Sequence, residues 1–205
     1  MEEIRYVVNG PERGMQGRAS VESFSEDEMR KVVGFHSTMP GYSPTPLASL
    51  PSLAKRLGLG SIHVKDESHR FGLKAFKVLG GCYAIAMHLA QKLGEDISEL
   101  PFQVLTSDQV KQQLGDVTFA TTTDGNHGRG VAWTARMLRQ KAVVYMPKGS
   151  AVFRLEKIRG EGAQAEILDM NYDDAVRYTD QQAKKHGWVV VQDTAWEGYT
   201  DIPLW

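Results

Sequence analysis

The chain has 205 residues, and 24 Lys and Arg stand against 25 Asp and Glu, which gives a formal net charge of −1 at pH 7. This balance gives no reason to expect nucleic acid or an anionic membrane as a partner. The hydrophobic share of 41% and the charged share of 24% are typical of globular proteins, and the length suits one large domain or two small ones. The single cysteine, Cys82, excludes an intrachain disulfide. Because the sequence has no membrane-length apolar run and no signal peptide at Met1–Arg5, a cytoplasmic protein is expected.

Up to residue 75 the sequence predicts short elements joined by turns. Ser25 is a suitable helix cap with acidic residues following it, and Gly58 is a suitable helix end. The acidic pair Asp66 and Glu67 predicts a solvated turn. The predicted elements of this part are a helix over 25–35, an extended proline-rich segment over 39–47, a helix over 50–57 and a strand over 61–65.

From Phe76 to about residue 93, apolar residues recur at helical spacing, which predicts a helix with one buried face. Gly80 and Gly81 lie inside this helix, and each costs on the order of 1 kcal/mol relative to alanine. The space beside them is expected to be needed by a ligand, by a neighbouring backbone or by close helix packing. A polar connector follows and contains one helical segment over 107–114, with Ser107 as its cap.

Beyond residue 116, strands and helices alternate and are joined by short turns. This alternation predicts an α/β fold with a parallel sheet, helices on both faces and right-handed connections. The predicted strands are 117–120, 142–146, 165–168 and 188–191, and the predicted helices are 128–138, 151–159 and 172–186.

The segment Arg70–Gly81 places two lysines, Lys74 and Lys77, at the start of a helix. The positive end of a helix disfavours another positive charge, and a neutral amine is the form that reacts with a carbonyl to give a Schiff base. A solvated pair of surface lysines is the alternative interpretation of this stretch.

A second polar segment, Thr121–Gly130, follows a predicted strand and opens a helix. Open α/β sheets bind ligands at this position, and free backbone N–H groups at a helix start attract a carboxylate or a phosphate. The glycine spacing matches neither a dinucleotide-binding loop nor a P-loop. His127 has no partner at metal-ligand spacing, so no metal site is expected.

These residues together resemble the fold-type II family of pyridoxal phosphate (PLP) enzymes, the tryptophan synthase β-like family. The run Ala75-Phe76-Lys77 is similar to the Ser-Phe-Lys segment of that family, and alanine at the first position fits its diaminopropionate ammonia-lyase branch. The segment Thr122–Gly130 is similar to the family's Ser-x-Gly-Asn-His-x-x-Gly loop. The segment Asp193–Tyr199 resembles the Asp-Thr-Ala-Trp-x-Gly-Tyr segment of the ammonia-lyases.

The resemblance implies PLP as cofactor and α,β-elimination of 2,3-diaminopropionate to pyruvate and ammonia. Asp124 would be the base for the D-isomer and Lys77 the base for the L-isomer, whereas Asp193 would face the substrate amine. A helix cap for Asp124 and an ordinary strand end for Asp193 are the alternatives. The implied cofactor-binding residues are Lys77, Asn126 and Phe76, and the implied substrate-binding residues are Thr122, Thr123, Gly125 and His127.

Two other functions fit the same pattern: a serine or threonine dehydratase-type lyase, and a non-catalytic fragment of such an enzyme. The resemblance covers nearly the whole chain but only about the first half of the family's length, so a truncated fold is expected. Residues 1–85 would be the N-terminal part of a large domain, 86–193 a small βα domain, and 194–205 the start of the return to the large domain. The complete enzyme is expected to be a homodimer that acts on a small amino acid.

Overall fold

The computed structural model describes residues 22–205, so the first 21 residues of the predicted N-terminal part lie outside the described residues. The strands are β1 (Leu47–Ser49), β2 (His63–Lys65), β3 (Thr118–Thr122), β4 (Lys141–Met146), β5 (Gln164–Ile167) and β6 (Val189–Val190). The helices are α1 (Glu26–Ser37), α2 (Pro51–Leu57), α3 (Lys77–Leu93), α4 (Phe102–Leu105), α5 (Asp108–Leu114), α6 (Asn126–Met137), α7 (Val152–Arg159), α8 (Tyr172–His186) and α9 (Asp201–Leu204).

The predicted parallel sheet is confirmed, with the strand order β5-β4-β3-β6. Its central strands β3 and β4 are buried along almost their whole length, as is typical of parallel strands covered on both faces. Val144 contacts the α6 side, because a Cβ on Gly128 would lie 2.8 Å from its Cγ1. The next residue, Tyr145, packs edge-on against Tyr178 of α8. Helices therefore cover both faces of the sheet, since successive strand side chains alternate.

The helix ends follow the predicted caps. The Ser25 hydroxyl accepts a hydrogen bond from the N–H of Glu28, and Ser107 accepts one from the N–H of Val110. Gly58 ends α2 in the left-handed region at φ 68°. The helix α4 was not predicted, because its four residues are too few to show a helical pattern.

The helix α3 begins at Lys77 but is buried on most sides, so the prediction of one buried face is wrong. The reason is that α3 packs between α1, α5 and α6, a tertiary arrangement that its own sequence does not contain. The close backbone approach occurs at Gly130 of α6, where a Cβ would lie 3.0 Å from the Cα of Val78. A Cβ on Gly80 would meet no atom within 4 Å. The space beside Gly80 is therefore open.

A small antiparallel sheet of β1 and β2 precedes α3, and β1 was predicted only as an extended segment. The prediction of a solvated acidic turn is wrong for Glu67, which pairs with the buried guanidinium of Arg70 at 2.8 Å and accepts a hydrogen bond from Thr45. The hydrogen bonds from Arg70 lower the pKa of the Glu67 carboxyl to about 2. This ion pair anchors the turn that leads to Lys77 against the proline-rich segment.

Candidate active site

Two adjoining cavities lie where the start of α3 meets the carboxyl ends of β3 and β6. The first, the polar cleft, has a volume of about 250 Å³, and the second, the apolar cleft, has a volume of about 290 Å³. Lys77, His127 and Asp193 line both cavities. The predicted site residues in the polar cleft are Lys77, Thr123, Asp124, Asn126, His127 and Asp193, and Phe76 lies in the apolar cleft.

The Lys77 amine and the Asp193 carboxylate form the centre of the site. Lys77 Nζ donates a hydrogen bond to Asp193 Oδ2 at 2.5 Å, although the two residues are 116 positions apart in the sequence. Burial raises the pKa of the Asp193 carboxyl, but the hydrogen bond from Lys77 and the neighbouring charges together outweigh burial, so the pKa lies below its ordinary value. An ionised carboxylate thus lies directly beside the amine and holds it in position.

His127 forms the buried wall behind this pair. Its Nε2 lies 2.7 Å from the carbonyl oxygen of Val191, and its Nδ1 lies 4.0 Å from Asp193 Oδ2. Because a carbonyl oxygen only accepts, Nε2 carries the proton. Burial lowers the pKa of the imidazole, so His127 is neutral and its unprotonated Nδ1 faces the carboxylate.

The loop between β3 and α6 is held by the hydroxyl of Thr123. This oxygen accepts hydrogen bonds from the N–H groups of Gly125 at 2.9 Å and Gly128 at 3.1 Å. Thr123 thereby takes the capping role that was the alternative for Asp124, whose side chain is 79% exposed. Within residues 22–205, the N–H groups of Asn126 and His127 have no hydrogen-bond acceptor. They lie at the start of a helix and are available to an anion.

The structure places Thr122 away from both clefts, which corrects the expectation that it binds substrate. Its hydroxyl contacts Thr179 Oγ1 at 2.6 Å in α8, and its N–H donates to Gln192 Oε1 at 3.0 Å. The physical reason is the alternation of side chains along β3, which directs Thr122 into the core. The N–H of Gly125 is likewise unavailable to a ligand, because it is bound to Thr123.

Two residues of the polar cleft, Arg154 and Tyr172, were not predicted from the sequence. The phenol oxygen of Tyr172 accepts a hydrogen bond from Gln192 Nε2 at 2.8 Å. Burial, followed by the charges of Asp193 and Asp124, raises the pKa of Tyr172, so the phenol keeps its proton. Both residues belong to the first turn of the helix that follows a strand of the sheet. That position was the signal that could have revealed them.

The site has no metal-binding character within the described chain. Among residues 22–205, no three His, Cys, Asp or Glu side chains are grouped so that they could hold a metal ion. The helices of this same part are all too short or too polar to cross a membrane.

Residues 38–204 match the family described as pyridoxal-phosphate dependent enzyme, and the chain therefore belongs to this family. It is 51% identical to the diaminopropionate ammonia-lyase of Salmonella typhimurium over 202 residues, which cover 98% of this chain and 50% of that protein. The predicted similarity to the ammonia-lyases is thus confirmed.

Solved structures of the Escherichia coli diaminopropionate ammonia-lyase are similar to the described fold. The complex with D-serine has a TM-score of 0.84 at 55% identity and covers 90% of this chain and 46% of that one. The complex with an aminoacrylate-PLP azomethine reaction intermediate has a TM-score of 0.82 at 53% identity and covers 93% and 46%. The predicted fold-type II architecture is confirmed, and the chain spans about half the length of the relatives it matches.

Proposed function

We propose that this chain supplies the reactive lysine and the substrate loop of a PLP-dependent diaminopropionate ammonia-lyase. The complete enzyme would convert 2,3-diaminopropionate and water into pyruvate and two molecules of ammonia. The observation that carries the proposal is the hydrogen bond of 2.5 Å between Lys77 and Asp193, at the point where the polar and apolar clefts meet. The identity of 51% to an ammonia-lyase supports the choice of substrate.

The residues around Lys77 fit PLP. The Lys77 side chain is 43% exposed, so its amine is accessible to the aldehyde of the cofactor. The open space beside Gly80 and the exposed ring of Phe76 form part of the apolar cleft next to this amine. Lys77 would hold the cofactor, with Asn126 beside it in the polar cleft. When bound, PLP stores the electron pair that remains at Cα after the substrate loses a proton.

Proton transfer would be shared between Asp124 and Lys77. Asp193 stays ionised, because its pKa lies below the ordinary value, and its Oδ2 holds the Lys77 amine in position through the hydrogen bond. In its neutral form, Lys77 would act as the base for the L-isomer. Asp124 lies in the wall of the same cleft and would act as the base for the D-isomer. The ring of His127 is neutral, so it adds no positive charge that would compete with Lys77 for Asp193.

The start of α6 would hold the substrate carboxylate. The N–H groups of Asn126 and His127 lack acceptors within the described part of the chain, and the positive end of the helix favours an anion. Thr123 would contribute indirectly, since its hydroxyl maintains the loop conformation. A second amino group on the substrate would be attracted by Asp124 and Asp193, which favours diaminopropionate over serine.

The experiment compares Lys77→Ala with Lys74→Ala in the complete enzyme that carries this chain. Lys74 is an exposed lysine three positions earlier and is a matched control. We expect Lys77→Ala to lose both the visible PLP absorbance band and pyruvate formation, and Lys74→Ala to keep both. Asp124→Asn should lower turnover of D-diaminopropionate by about 10²–10⁴-fold and change turnover of the L-isomer little. Retention of the band in Lys77→Ala, or faster turnover of serine than of diaminopropionate, would contradict the proposal.

Three further expectations remain proposals that rest on the family resemblance: a cytoplasmic location, a homodimer in the complete enzyme, and the division into residues 1–85, 86–193 and 194–205. The first of these boundaries falls inside the continuous helix α3. Sedimentation of the complete enzyme would test the dimer, and limited proteolysis would test the domain boundaries.

A further inference from the structure

Arg154 contacts the turn that carries Asp124. Its Nη1 donates a hydrogen bond to the backbone oxygen of Asp124 at 2.9 Å and lies 3.7 Å from Asp124 Oδ2. Arg154 belongs to α7, which follows β4, whereas Asp124 follows β3. One guanidinium therefore connects two neighbouring segments at the carboxyl edge of the sheet.

The same side chain covers Gly125. A Cβ built on Gly125 would lie 3.1 Å from Arg154 Cδ and 3.4 Å from its Nη1. Glycine leaves the room that the arginine occupies. Arg154 thus lies along the outer side of the turn, and the hydroxyl of Thr123 holds the inner side.

The Asp124 side chain has no other restraint within residues 22–205. It is 79% exposed, and Arg154 is the cation that lies within ion-pair distance of it in this part of the chain. Exposed ion pairs contribute little to stability, so the contact is more informative about orientation than about folding. A guanidinium that binds both the backbone and the carboxylate region of one residue limits the directions that the carboxylate can take.

We propose that Arg154 is a positioning residue that orients the Asp124 carboxylate for proton removal from the D-isomer. This inference rests on the proposed function. Arg154 is not needed for the L-isomer, because Lys77 is the base for that isomer and, within residues 22–205, its hydrogen bond goes to Asp193 and that of Arg154 to Asp124. Its loss should therefore change the isomer preference of the enzyme.

The test compares Arg154→Ala, Arg154→Lys and Arg159→Ala in the complete PLP-loaded enzyme. Arg159 is a close control, because it lies on the same helix, its side chain is 47% exposed against 48% for Arg154, and it donates to the backbone oxygen of Ala165 at 3.0 Å. We expect Arg154→Ala to lower the ratio of kcat/KM for D- over L-diaminopropionate by about 10-fold. Arg154→Lys should recover part of the ratio, since one ammonium can replace part of the contact, and Arg159→Ala should leave the ratio unchanged.

A second measurement does not depend on turnover. Hydrogen–deuterium exchange of the peptide covering residues 121–128 should be faster in Arg154→Ala than in Arg159→Ala.

Gly125→Ala should shift the isomer ratio in the same direction as Arg154→Ala, because its methyl group displaces the arginine. An isomer ratio in Arg154→Ala equal to that of Arg159→Ala overturns the positioning role. If the unmodified enzyme turns over neither isomer, the proposed function fails, and the exchange rates still decide whether Arg154 holds the turn.

Discussion

Gly130→Ala is expected to destabilise the fold at the point where α6 crosses α3. The new methyl group would lie 3.0 Å from the Cα and 3.2 Å from the backbone nitrogen of Val78. Neither atom can rotate away, because both belong to the backbone of α3. Overpacking of this kind costs about 1–3 kcal/mol, and alanine returns about 1 kcal/mol of helix propensity. Because two backbone atoms are affected together, we expect a net loss of about 1–2 kcal/mol in the free energy of unfolding.

The assay is urea unfolding of this variant beside Gly80→Ala. Gly80 is also a helical glycine, but its Cβ would meet no atom within 4 Å. The same substitution there should raise the free energy of unfolding by up to about 1 kcal/mol. The two variants should therefore change stability in opposite directions. If Gly130→Ala is as stable as Gly80→Ala, the two helices separate without cost and the close approach does not require glycine.

Three other predictions concern the ion pair, the loop and the cleft. Arg70 lowers the pKa of Glu67 from 4.5 to about 2, so the stabilisation is complete above about pH 4.5 and is lost as the pH falls through 2. Glu67→Gln should cost about 3 kcal/mol in urea unfolding at pH 7, and its stability should converge with that of the unmodified chain near pH 2. Thr123→Val should cost about 1–2 kcal/mol by the same assay and Thr123→Ser much less, because serine keeps the capping hydroxyl. Tyr172→Phe should lower kcat/KM for diaminopropionate by about 10-fold, whereas Tyr178→Phe on the same helix should not.

The elements that the sequence predicted best have both a clear pattern and a clear cap. The helix α8 was predicted over 172–186 and is observed over Tyr172–His186, because Asn171 caps its start and Gly187 ends it at φ 69°. The strand β1 shows the opposite case. Its pairing with β2 joins Leu47 to Lys65, and nothing in the local pattern of a proline-rich segment indicates such a partner. The sequence therefore predicted the elements that are stabilised by residues close to one another in the chain, and it did not predict the pairing of separate segments.

The site could be predicted in part for the same reason. Lys77 and the glycine-rich loop lie at helix starts, which the sequence indicates, but the contact of Lys77 with Asp193 spans 116 positions and depends on the folded sheet. A difference of one position separates Thr123, which caps the loop, from Thr122, which lies in the core. The sequence contains both threonines in one run and does not show where the strand ends.

The sheet explains why Arg154 and Tyr172 were missed. Each strand of the sheet leads into the polar cleft: β3 leads to Asp124, β4 to Arg154, β5 to Tyr172 and β6 to Asp193. The sequence motifs marked the first and last of these positions, because one lies in a glycine-rich loop and the other in a segment typical of the ammonia-lyases. The two middle positions carry no glycine and no motif. The carboxyl ends of all four parallel strands meet at one edge of the sheet. The two middle positions become candidates only when the first turn after each strand is treated as part of that edge.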